Sequence, residues 1–460
     1  MSAPRLWPAK LVLSALIWVI ATTGGRQVFV KEALGEAFDS QADHFLHGNV
    51  DVDGEAIRWE AMIVNGKARM YFGPFPALLR IPLNLIYPAG RGAWSRISGF
   101  LAGEVALFAF AGLLTDALRS SSLSARARYW FGSACLTGFV FGTPLLFLLG
   151  NLSIYNEAII WALAWTSAAL FFAIRSRNTE GGAQTVSLSA FSFCGAAALL
   201  SRVTFGAPLL LMAPVLAIHI PTDNRWRQFA ALFLPLGAGL AFYLLLSYAR
   251  FGSLAGVSFE HYINPVHREF ARKYGIFSLQ RIPYGVADYF GLRFPSLQWQ
   301  APFLKADRHF YAHPQLYSIP FSETYLPVTW AASWLLAGAI PGAICLFRKR
   351  CANFFERGAA VAFALQGCGI LSYYALSQRY SVDLYPFLIF CFLIFLRRDA
   401  KFLPRTYATI VGLVVVSSTI NSLATISWLV DSDQNVRPET RAIYQQLLGR
   451  SLSGQKSESK

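Results

Sequence analysis

Long apolar runs recur along this chain from near its N-terminus almost to its end, and they constrain the fold more than any other feature. Most of them have roughly 17 to 22 residues with few charges, which is long enough to cross about 30 Å of hydrocarbon as a helix. Because lipid offers the backbone no hydrogen-bond partners, we expect each run to be helical. The sequence therefore predicts an all-α, multi-pass integral membrane protein.

The runs predict about eleven transmembrane helices. One further apolar segment, 75–87, is short and contains Pro76 and Pro82, so a re-entrant or interfacial helix is expected there instead. The predicted spans are 8–25, 97–117, 130–149, 157–174, 186–201, 204–220, 228–249, 328–347, 358–376, 384–396 and 406–428.

Charge is scarce and unevenly placed in the 460-residue chain. Only 14% of the residues are charged, against about 25% in soluble domains. The net charge of +15 does not indicate a nucleic-acid partner, because the basic residues form no amphipathic stripe or nucleic-acid-binding motif. They cluster in alternate loops, which the positive-inside rule places in the cytoplasm. These loops contain Arg5, Lys10, Arg119, Arg126, Arg128, Arg175, Arg177, Arg225, Arg227, Arg348, Lys349, Arg350, Arg357, Arg397, Arg398, Lys401 and Arg405.

Two long loops then lie on the extracytoplasmic side, at about 25–96 and about 250–327. With the N-terminus in the cytoplasm, the alternation places the C-terminus outside. We predict a transmembrane domain over 1–430 and a polar extracytoplasmic tail over 431–460, in which "PETRAIYQQLLGRSL" can form one amphipathic helix. The expected location is the cytoplasmic (inner) membrane.

The stretch "FDSQADHFLHG", 38–48, places polar chemistry soon after the first span. Asp39 and Asp43 are four residues apart and share one face of a helix, with His44 and His47 on a neighbouring stripe. A helix at the membrane surface would aim these groups into a cleft, where a partly desolvated carboxylate can act as a general base. The alternative is a solvated surface helix with ordinary charges.

The same loop continues as "WEAMIVNGKARMYFGPFPALLRIPLNLIY". Asn65-Gly66 is a strong turn dipeptide and predicts a hairpin, and a proline-containing apolar piece with Arg80 follows. Three later stretches also carry cations on the predicted outer side: "LLSRVTFGAPLLL" with Arg202, "YARFGSLAGVSFEHY" with Arg250 and "SQRYSVDLYPFLIF" with Arg379. In this order, the pieces resemble the GT-C superfamily of membrane glycosyltransferases, of the bacterial type that depends on polyprenyl-phosphate sugars.

The resemblance implies a GT-C-like fold and a glycosyltransferase. Such an enzyme would transfer a sugar from a polyprenyl-phosphate donor to a glycan, lipid or protein acceptor of the cell envelope, on the extracytoplasmic face. It also implies a catalytic carboxylate soon after the first span, which makes Asp39 the expected general base. Asp43 is then a second catalytic candidate, or a contact to the acceptor or to a metal, and Glu60 is a third candidate for the base. A divalent metal is compatible with the sequence but not required by it, and no metal ligands are assigned. The expected acceptor or sugar contacts are His44, His47, Glu60 and Tyr380.

Four arginines on the predicted outer side, Arg80, Arg202, Arg250 and Arg379, are candidate ligands of the donor phosphate. A guanidinium suits this role because it offers phosphate a bidentate fork. The alternative for each is snorkelling, in which the side chain only reaches for lipid headgroups. Asp383 follows Arg379 by four residues, so we expect a local ion pair between them.

Two other classes of protein fit parts of the pattern. One is a transporter or flippase of lipid-linked sugars, and the other is a non-catalytic envelope assembly protein with the same fold. Transporters usually carry ionisable residues at mid-span. Here such residues cluster at predicted outer helix ends, apart from Glu104 and Asp116 in or near the second span. The distribution favours chemistry at the membrane surface over conduction.

Overall fold

The fold is given by a computed structural model, which describes residues 6–450 except 122, 219, 221–224, 255, 312, 320–322, 349–351, 399–403 and 432–435. Helices dominate this part of the chain, as predicted. They are α1 Trp7–Ala21, α2 Glu36–Leu46, α3 Gly54–Ile57, α4 Phe75–Ile86, α5 Ser95–Leu118, α6 Ala125–Phe141, α7 Leu145–Gly150, α8 Ile154–Arg177, α9 Gly181–Ser201, α10 Val203–Ala217, α11 Arg225–Phe251, α12 Pro265–Tyr274, α13 Ile282–Tyr289, α14 Val328–Ala331, α15 Ser333–Phe347, α16 Phe354–Leu371, α17 Tyr385–Arg398, α18 Pro404–Asp431 and α19 Pro438–Leu447.

Helices occupy every predicted span, although not every helix has the length to cross a bilayer alone. Among the described residues, seven helical segments are long and apolar enough to do so. Four further apolar helices, α1, α4, α10 and α15, have only 10–17 residues, so the count of eleven crossings stays a prediction. The seven long segments are Ser95–Leu118, Ile154–Arg177, Gly181–Ser201, Arg225–Phe251, Phe354–Leu371, Tyr380–Arg397 and Arg405–Asp431.

One predicted span, 130–149, consists of two helices, because the chain breaks between α6 and α7 at 142–144. The break leaves backbone carbonyls without intrahelical partners. The side-chain amide of Asn421, on α18, donates to the carbonyls of Phe141 at 2.7 Å and Thr143 at 2.8 Å. Since an unsatisfied carbonyl is costly in a membrane, this contact explains how the break is tolerated inside the bundle.

Helix α8 lies at the centre of the bundle and packs against both α5 and α9. Its many alanines let the neighbouring backbones approach closely. Aromatic rings fill the remaining space: Trp161 and Trp165 are stacked with their centroids 5.6 Å apart. The indole of Trp161 also donates to the hydroxyl of Ser98, on α5, at 2.8 Å. These contacts fix α8, whose first turn contributes to the site described below.

The first long loop contains α2, α3, a β-hairpin and α4. Strands β1 (Met62–Val64) and β2 (Lys67–Arg69) pair in antiparallel fashion. Between them, Asn65 and Gly66 have φ values of 52° and 73°, and a two-residue type I′ hairpin turn requires positive φ at both positions. The predicted hairpin is therefore confirmed, as are the helix over Asp39 and Asp43 and the short helix at 75–86.

Gly73, between β2 and α4, brings this loop against the junction of α9 and α10. A Cβ atom at Gly73 would lie 2.2 Å from the carbonyl oxygen of Leu200 and 2.4 Å from that of Ser201. Only glycine permits this approach. The contact places the first loop beside Arg202, whose extended backbone (φ −158°, ψ 119°) separates the two helices.

The second long loop contains α12, α13 and two short paired strands, β3 (Ser296–Leu297) and β4 (Leu304–Lys305). It joins the first loop directly, because Met62 of β1 forms an antiparallel bridge with Tyr262. The residue after Tyr262 also donates its amide to the carbonyl of Ala61 at 3.0 Å. Both long loops therefore lie at the same end of the helix bundle.

The C-terminal helix α19 returns to this end of the bundle and packs against α18. Thr440 is its buried anchor. The Thr440 hydroxyl accepts from Arg96, at the start of α5, at 3.2 Å, and donates to the side chain of Gln27 at 2.8 Å. The amphipathic helix predicted in the tail is thus present over Pro438–Leu447, and it is tied to the first loop.

Candidate active site between the two long loops

The carboxylate of Glu60 accepts hydrogen bonds from three tyrosine hydroxyls. Glu60 ends a short 3-10 turn, Arg58–Glu60, and is buried. Tyr155 donates to Oε1 at 2.6 Å, while Tyr71 and Tyr262 donate to Oε2 at 2.6 and 2.8 Å. The three donors come from the first loop, the first turn of α8 and the second loop. The two loops thus converge on one acidic group.

Arg379 lies between α16 and α17 and supplies a cation to the site. Its Nη2 atom is 2.7 Å from the carboxylate of Glu323, in the second loop. Its guanidinium carbon lies 3.9 Å from the centroid of the Tyr155 ring, a cation–π geometry. Burial lowers the pKa of Arg379, but the Glu323 carboxylate raises it, and the net pKa is well above the usual value. A permanent positive charge is therefore held beside the Glu60 cluster.

These groups face a cavity of about 400 Å³, which we call the polar cavity. It combines aromatic faces, which can stack on a sugar ring, with groups that bond hydroxyls. The burial of His267, together with the charge of Arg379, lowers the pKa of its imidazole to about 4. Histidine is therefore a neutral partner for a ligand here. The lining consists of Trp59, Glu60, Tyr155, Tyr262, Asn264, His267, Ile319, Glu323, Tyr374, Ala375, Leu376, Arg379 and Tyr380.

A second cavity, of about 230 Å³, lies between the ends of the helices, and we call it the apolar cavity. Its polar edge includes Arg202, whose guanidinium is 3.2 Å from the carboxylate of Asp383 and donates to Thr204 at 3.1 Å. The two cavities share Tyr155, Arg379 and Tyr380. The lining of the apolar cavity is Tyr71, Phe72, Gly73, Tyr155, Ala158, Leu199, Ser201, Arg202, Val203, Thr204, Tyr243, Phe277, Ile370, Tyr373, Arg379 and Tyr380.

The prediction of an ion pair between Arg379 and Asp383 is wrong. Asp383 pairs with Arg202, and Arg379 pairs with Glu323. The reason is local: Tyr380–Leu384 is a 3-10 turn and not an α-helix. With three residues per turn, positions four apart do not lie on the same face. Each cation of the site is thus held by a carboxylate from a distant part of the chain.

Arg80 and Asp39, both in the first long loop, lie together in a buried ion cluster with Glu157 of α8. Arg80 Nη2 contacts both carboxylate oxygens of Glu157, at 2.6 and 2.9 Å, and Arg80 Nε is 3.4 Å from Asp39. Desolvation raises the pKa of Asp39 despite the opposing charge of Arg80. Among the described residues that line the polar and apolar cavities, neither Asp39 nor Arg80 is included. The cluster fixes α4 and the start of α8, two residues from Tyr155.

Asp43, His44 and His47, at the end of α2, have other partners. Asp43 pairs with Arg91 at 3.1 Å. His44 lies 3.5 and 3.4 Å from the carboxylates of Asp51 and Asp53, and His47 bonds to the Asp43 carbonyl at 2.8 Å. These contacts do not bring Asp43, His44 or His47 to the lining of either cavity.

Arg250, at the end of α11, is buried and donates to the carbonyl of Phe72 at 3.1 Å. It therefore supports the wall of the apolar cavity, to which Phe72 belongs, without lining the cavity itself. Of the arginines expected to bind phosphate, Arg202 and Arg379 are the two that the fold brings to a cavity. Within the described part of the chain, no group of three His, Cys, Asp or Glu side chains is placed to hold a metal ion.

Sequence reasoning missed most of the partners that define the site. Glu60 was a contact residue and only a third candidate for the base, and its donors Tyr71 and Tyr155 were not singled out, nor was Glu323. Tyr71 could have been found from the hairpin. It follows β2, and the pairing of β2 with β1 returns the chain to the turn that ends at Glu60. No local pattern relates Tyr155 or Tyr262 to Glu60, because they are 95 and 202 residues away.

The fold is similar to that of two solved structures, each with a TM-score of 0.50. One is ArnT from Cupriavidus metallidurans bound to undecaprenyl phosphate, at 12% identity, over 95% of this chain and 67% of that one. The other is the oligosaccharyltransferase from Archaeoglobus fulgidus in the apo form, at 13% identity, over 96% of this chain and 60% of that one. No family model and no curated protein matches the sequence. The expected GT-C-like architecture is thereby confirmed.

Proposed function

We propose that this protein is a membrane glycosyltransferase that takes a sugar from a polyprenyl-phosphate donor and transfers it to an acceptor of the cell envelope. The main support is the junction of two unlike cavities at Arg379. A donor of this class has an apolar chain, a phosphate and a sugar in that order. The apolar cavity, the guanidinium of Arg379 and the polar cavity follow in the same order.

In this proposal the phosphate binds between Arg379 and Arg202. Both guanidinium groups reach the apolar cavity, and both already have carboxylate partners, Glu323 and Asp383. The carboxylates orient the guanidinium forks and leave other N–H groups for phosphate oxygens. The ArnT structure that shares this fold holds undecaprenyl phosphate, and this supports a lipid phosphate as the ligand class.

The reaction is a displacement at the anomeric carbon of the sugar. An acceptor hydroxyl attacks this carbon, and the bond from the carbon to the phosphate oxygen breaks. The oxygen leaves with the electron pair on the lipid phosphate, where Arg379 stabilises the added negative charge. The hydroxyl proton passes to a carboxylate acting as general base.

We assign the base to Glu60 rather than to Asp39, which the sequence favours. Both are carboxylates of the first long loop, but Glu60 lines the polar cavity, where the sugar is placed. Its three tyrosine donors fix its direction. Asp39 is instead engaged with Arg80. We further propose that the site faces the extracytoplasmic side, because the basic loops of the sequence lie at the other end of the helices.

The test is sugar transfer by the purified full chain with a panel of labelled polyprenyl-phosphate sugars and envelope acceptors. Arg379→Gln should lower the transfer rate by about 10²–10³-fold, the range for losing one stabiliser of a developing anion. Arg272→Gln, on the exposed surface of α12, is the control and should not change it.

Two results would contradict the proposal. One is equal transfer by wild type and Arg379→Gln. The other is the absence of transfer with any donor while wild-type vesicles move lipid-linked sugars across the bilayer, which would identify a transporter.

A further inference from the structure

A third cavity, the lateral groove, lies at the end of α1, apart from the polar and apolar cavities. It has a volume of about 430 Å³, and α1, α6, α7, α18 and α19 form its walls. Its residues are predominantly aliphatic or aromatic, such as Ile20, Leu429 and Ile443. None of the described residues that line it belongs to either cavity of the proposed active site.

The groove is open to the side of the bundle. Val19 of α1 is 47% exposed and Leu447 of α19 is 66% exposed, and both line the groove. Apolar side chains this exposed on a membrane protein face lipid chains in preference to water. The space between them is therefore accessible from the bilayer.

One cation lines the groove just beyond the end of α1. Arg26 lines the groove, is exposed, and follows the last residue of α1, Ala21, by five positions. Within the described part of the chain, no carboxylate forms an ion pair with it. An apolar groove with a guanidinium at its outer end matches an amphiphile that has an aliphatic chain and an anionic headgroup.

The lining contains no Asp, Glu or His among the described residues. The groove is coupled to the rest of the protein. Arg96 donates to Thr23, in the wall of the groove, at 2.7 Å, to Glu32 of the first long loop at 2.5 Å, and to Thr440 of α19 at 3.2 Å.

We propose that the lateral groove binds an anionic phospholipid, with one acyl chain between α1, α18 and α19 and the phosphate on Arg26. The bound lipid holds α19 against the bundle. Through Arg96, it also stabilises the position of the first long loop. This site is independent of the proposed transfer reaction, because it shares no lining residue with the proposed active site.

Native mass spectrometry of the purified full chain tests the proposal. The protein is mixed with equal amounts of phosphatidylglycerol, which is anionic, and phosphatidylethanolamine, which has no net charge. Wild type should retain phosphatidylglycerol preferentially. Arg26→Gln should weaken its retention roughly tenfold, the equivalent of one hydrogen bond to a charged group. Ser422→Phe, which fills the groove, should have at least this effect, whereas Arg272→Gln on exposed α12 should have none.

Equal retention of the two lipids by wild type would overturn the proposal. So would retention by Arg26→Gln that matches Arg272→Gln, a comparison that decides the question even if Ser422→Phe does not fold. A short polyprenyl phosphate is the third probe. If it displaces phosphatidylglycerol from wild type and Arg26→Gln weakens its binding, the groove takes a prenyl lipid and the assignment is wrong. If its binding depends on Arg379 and leaves phosphatidylglycerol in place, the two sites are separate, as proposed.

Discussion

Replacing Glu60 by glutamine tests where the acid–base chemistry lies. One carboxylate oxygen accepts a hydrogen bond from the hydroxyl of Tyr155, and the other accepts hydrogen bonds from those of Tyr71 and Tyr262, at 2.6–2.8 Å. Glutamine has nearly the same size, so the packing of the turn is retained. One of its two polar atoms is an NH₂ group, however, which cannot accept a hydrogen bond. At least one tyrosine hydroxyl must then rotate or lose its partner.

The expected cost can be worked from these contacts. A hydrogen bond to a charged group contributes about 1.5–3 kcal/mol, and one between neutral groups about 1 kcal/mol. Three bonds weakened by about 1 kcal/mol each would lower the free energy of unfolding by about 3 kcal/mol, which a stable protein tolerates. Loss of a general base lowers a rate by about 10²–10⁴-fold. Transfer should therefore fall far more than stability does.

The assay is the initial rate of sugar transfer from a labelled polyprenyl-phosphate sugar, measured beside thermal unfolding of the same sample. Asp39→Asn is the matched control, since it neutralises another buried carboxylate of the first long loop. We expect Glu60→Gln to lose at least about 100-fold in rate and Asp39→Asn to stay within about tenfold of wild type. If Asp39→Asn abolishes transfer in a folded protein while Glu60→Gln remains active, our assignment of the base is refuted.

Three further predictions concern stability, and thermal unfolding in detergent measures each of them. The pKa of Asp39 is raised above its ordinary 3.8, so the folded protein holds a proton that the unfolded chain loses, and wild type should lose stability as pH rises from 3.8 through the raised value. Asp39→Asn should therefore gain in melting temperature relative to wild type as pH rises above 3.8, and a constant difference would argue against desolvation. The pKa of His267 is lowered from 6.5 to about 4, so between these values the unfolded chain binds a proton that the folded protein does not. Wild type should therefore lose stability as pH falls from 6.5 towards 4. His267→Gln should reduce this loss, and an unchanged acid sensitivity would show that the loss does not come from His267. Arg80→Met leaves the buried carboxylate of Glu157 without its cation and should lower the free energy of unfolding by about 3–5 kcal/mol. Arg91→Met breaks an exposed ion pair and should lower it by about 0–1 kcal/mol. Similar losses for the two variants would mean that the buried cluster does not anchor the loop.

Much of the fold could be predicted because lipid imposes a simple rule on the backbone. Each apolar run became helical, and the run at 328–347 is divided between α14 and α15 near Ala332. The turn at Asn65-Gly66 was predictable because its chemistry is local. The break within 130–149 was not, because it depends on Asn421, a side chain from a helix almost 280 residues further on.

The site was predicted at the level of regions and not of contacts. The first long loop, Arg202 and Arg379 all belong to it. Charge and position after a span selected Asp39, but burial beside Arg80 and Glu157 decides what Asp39 contacts. The partners of Glu60 are tyrosines, which a search for charged residues does not find. Such a search cannot tell which carboxylate of a loop faces a cavity, because the folding of the other loop determines this.

The polar cavity also has a consequence for how the chain is made. Its lining begins at Trp59 and ends at Tyr380, so more than three hundred residues must leave the ribosome before it can close. Nascent chains with only the first helices inserted contain Glu60 but neither Glu323 nor Arg379. In the proposed reaction, a partly synthesised chain could then bind neither the phosphate nor the sugar. The activity would switch on only after most of the bundle had been inserted, so that incomplete chains would not compete for the lipid carrier.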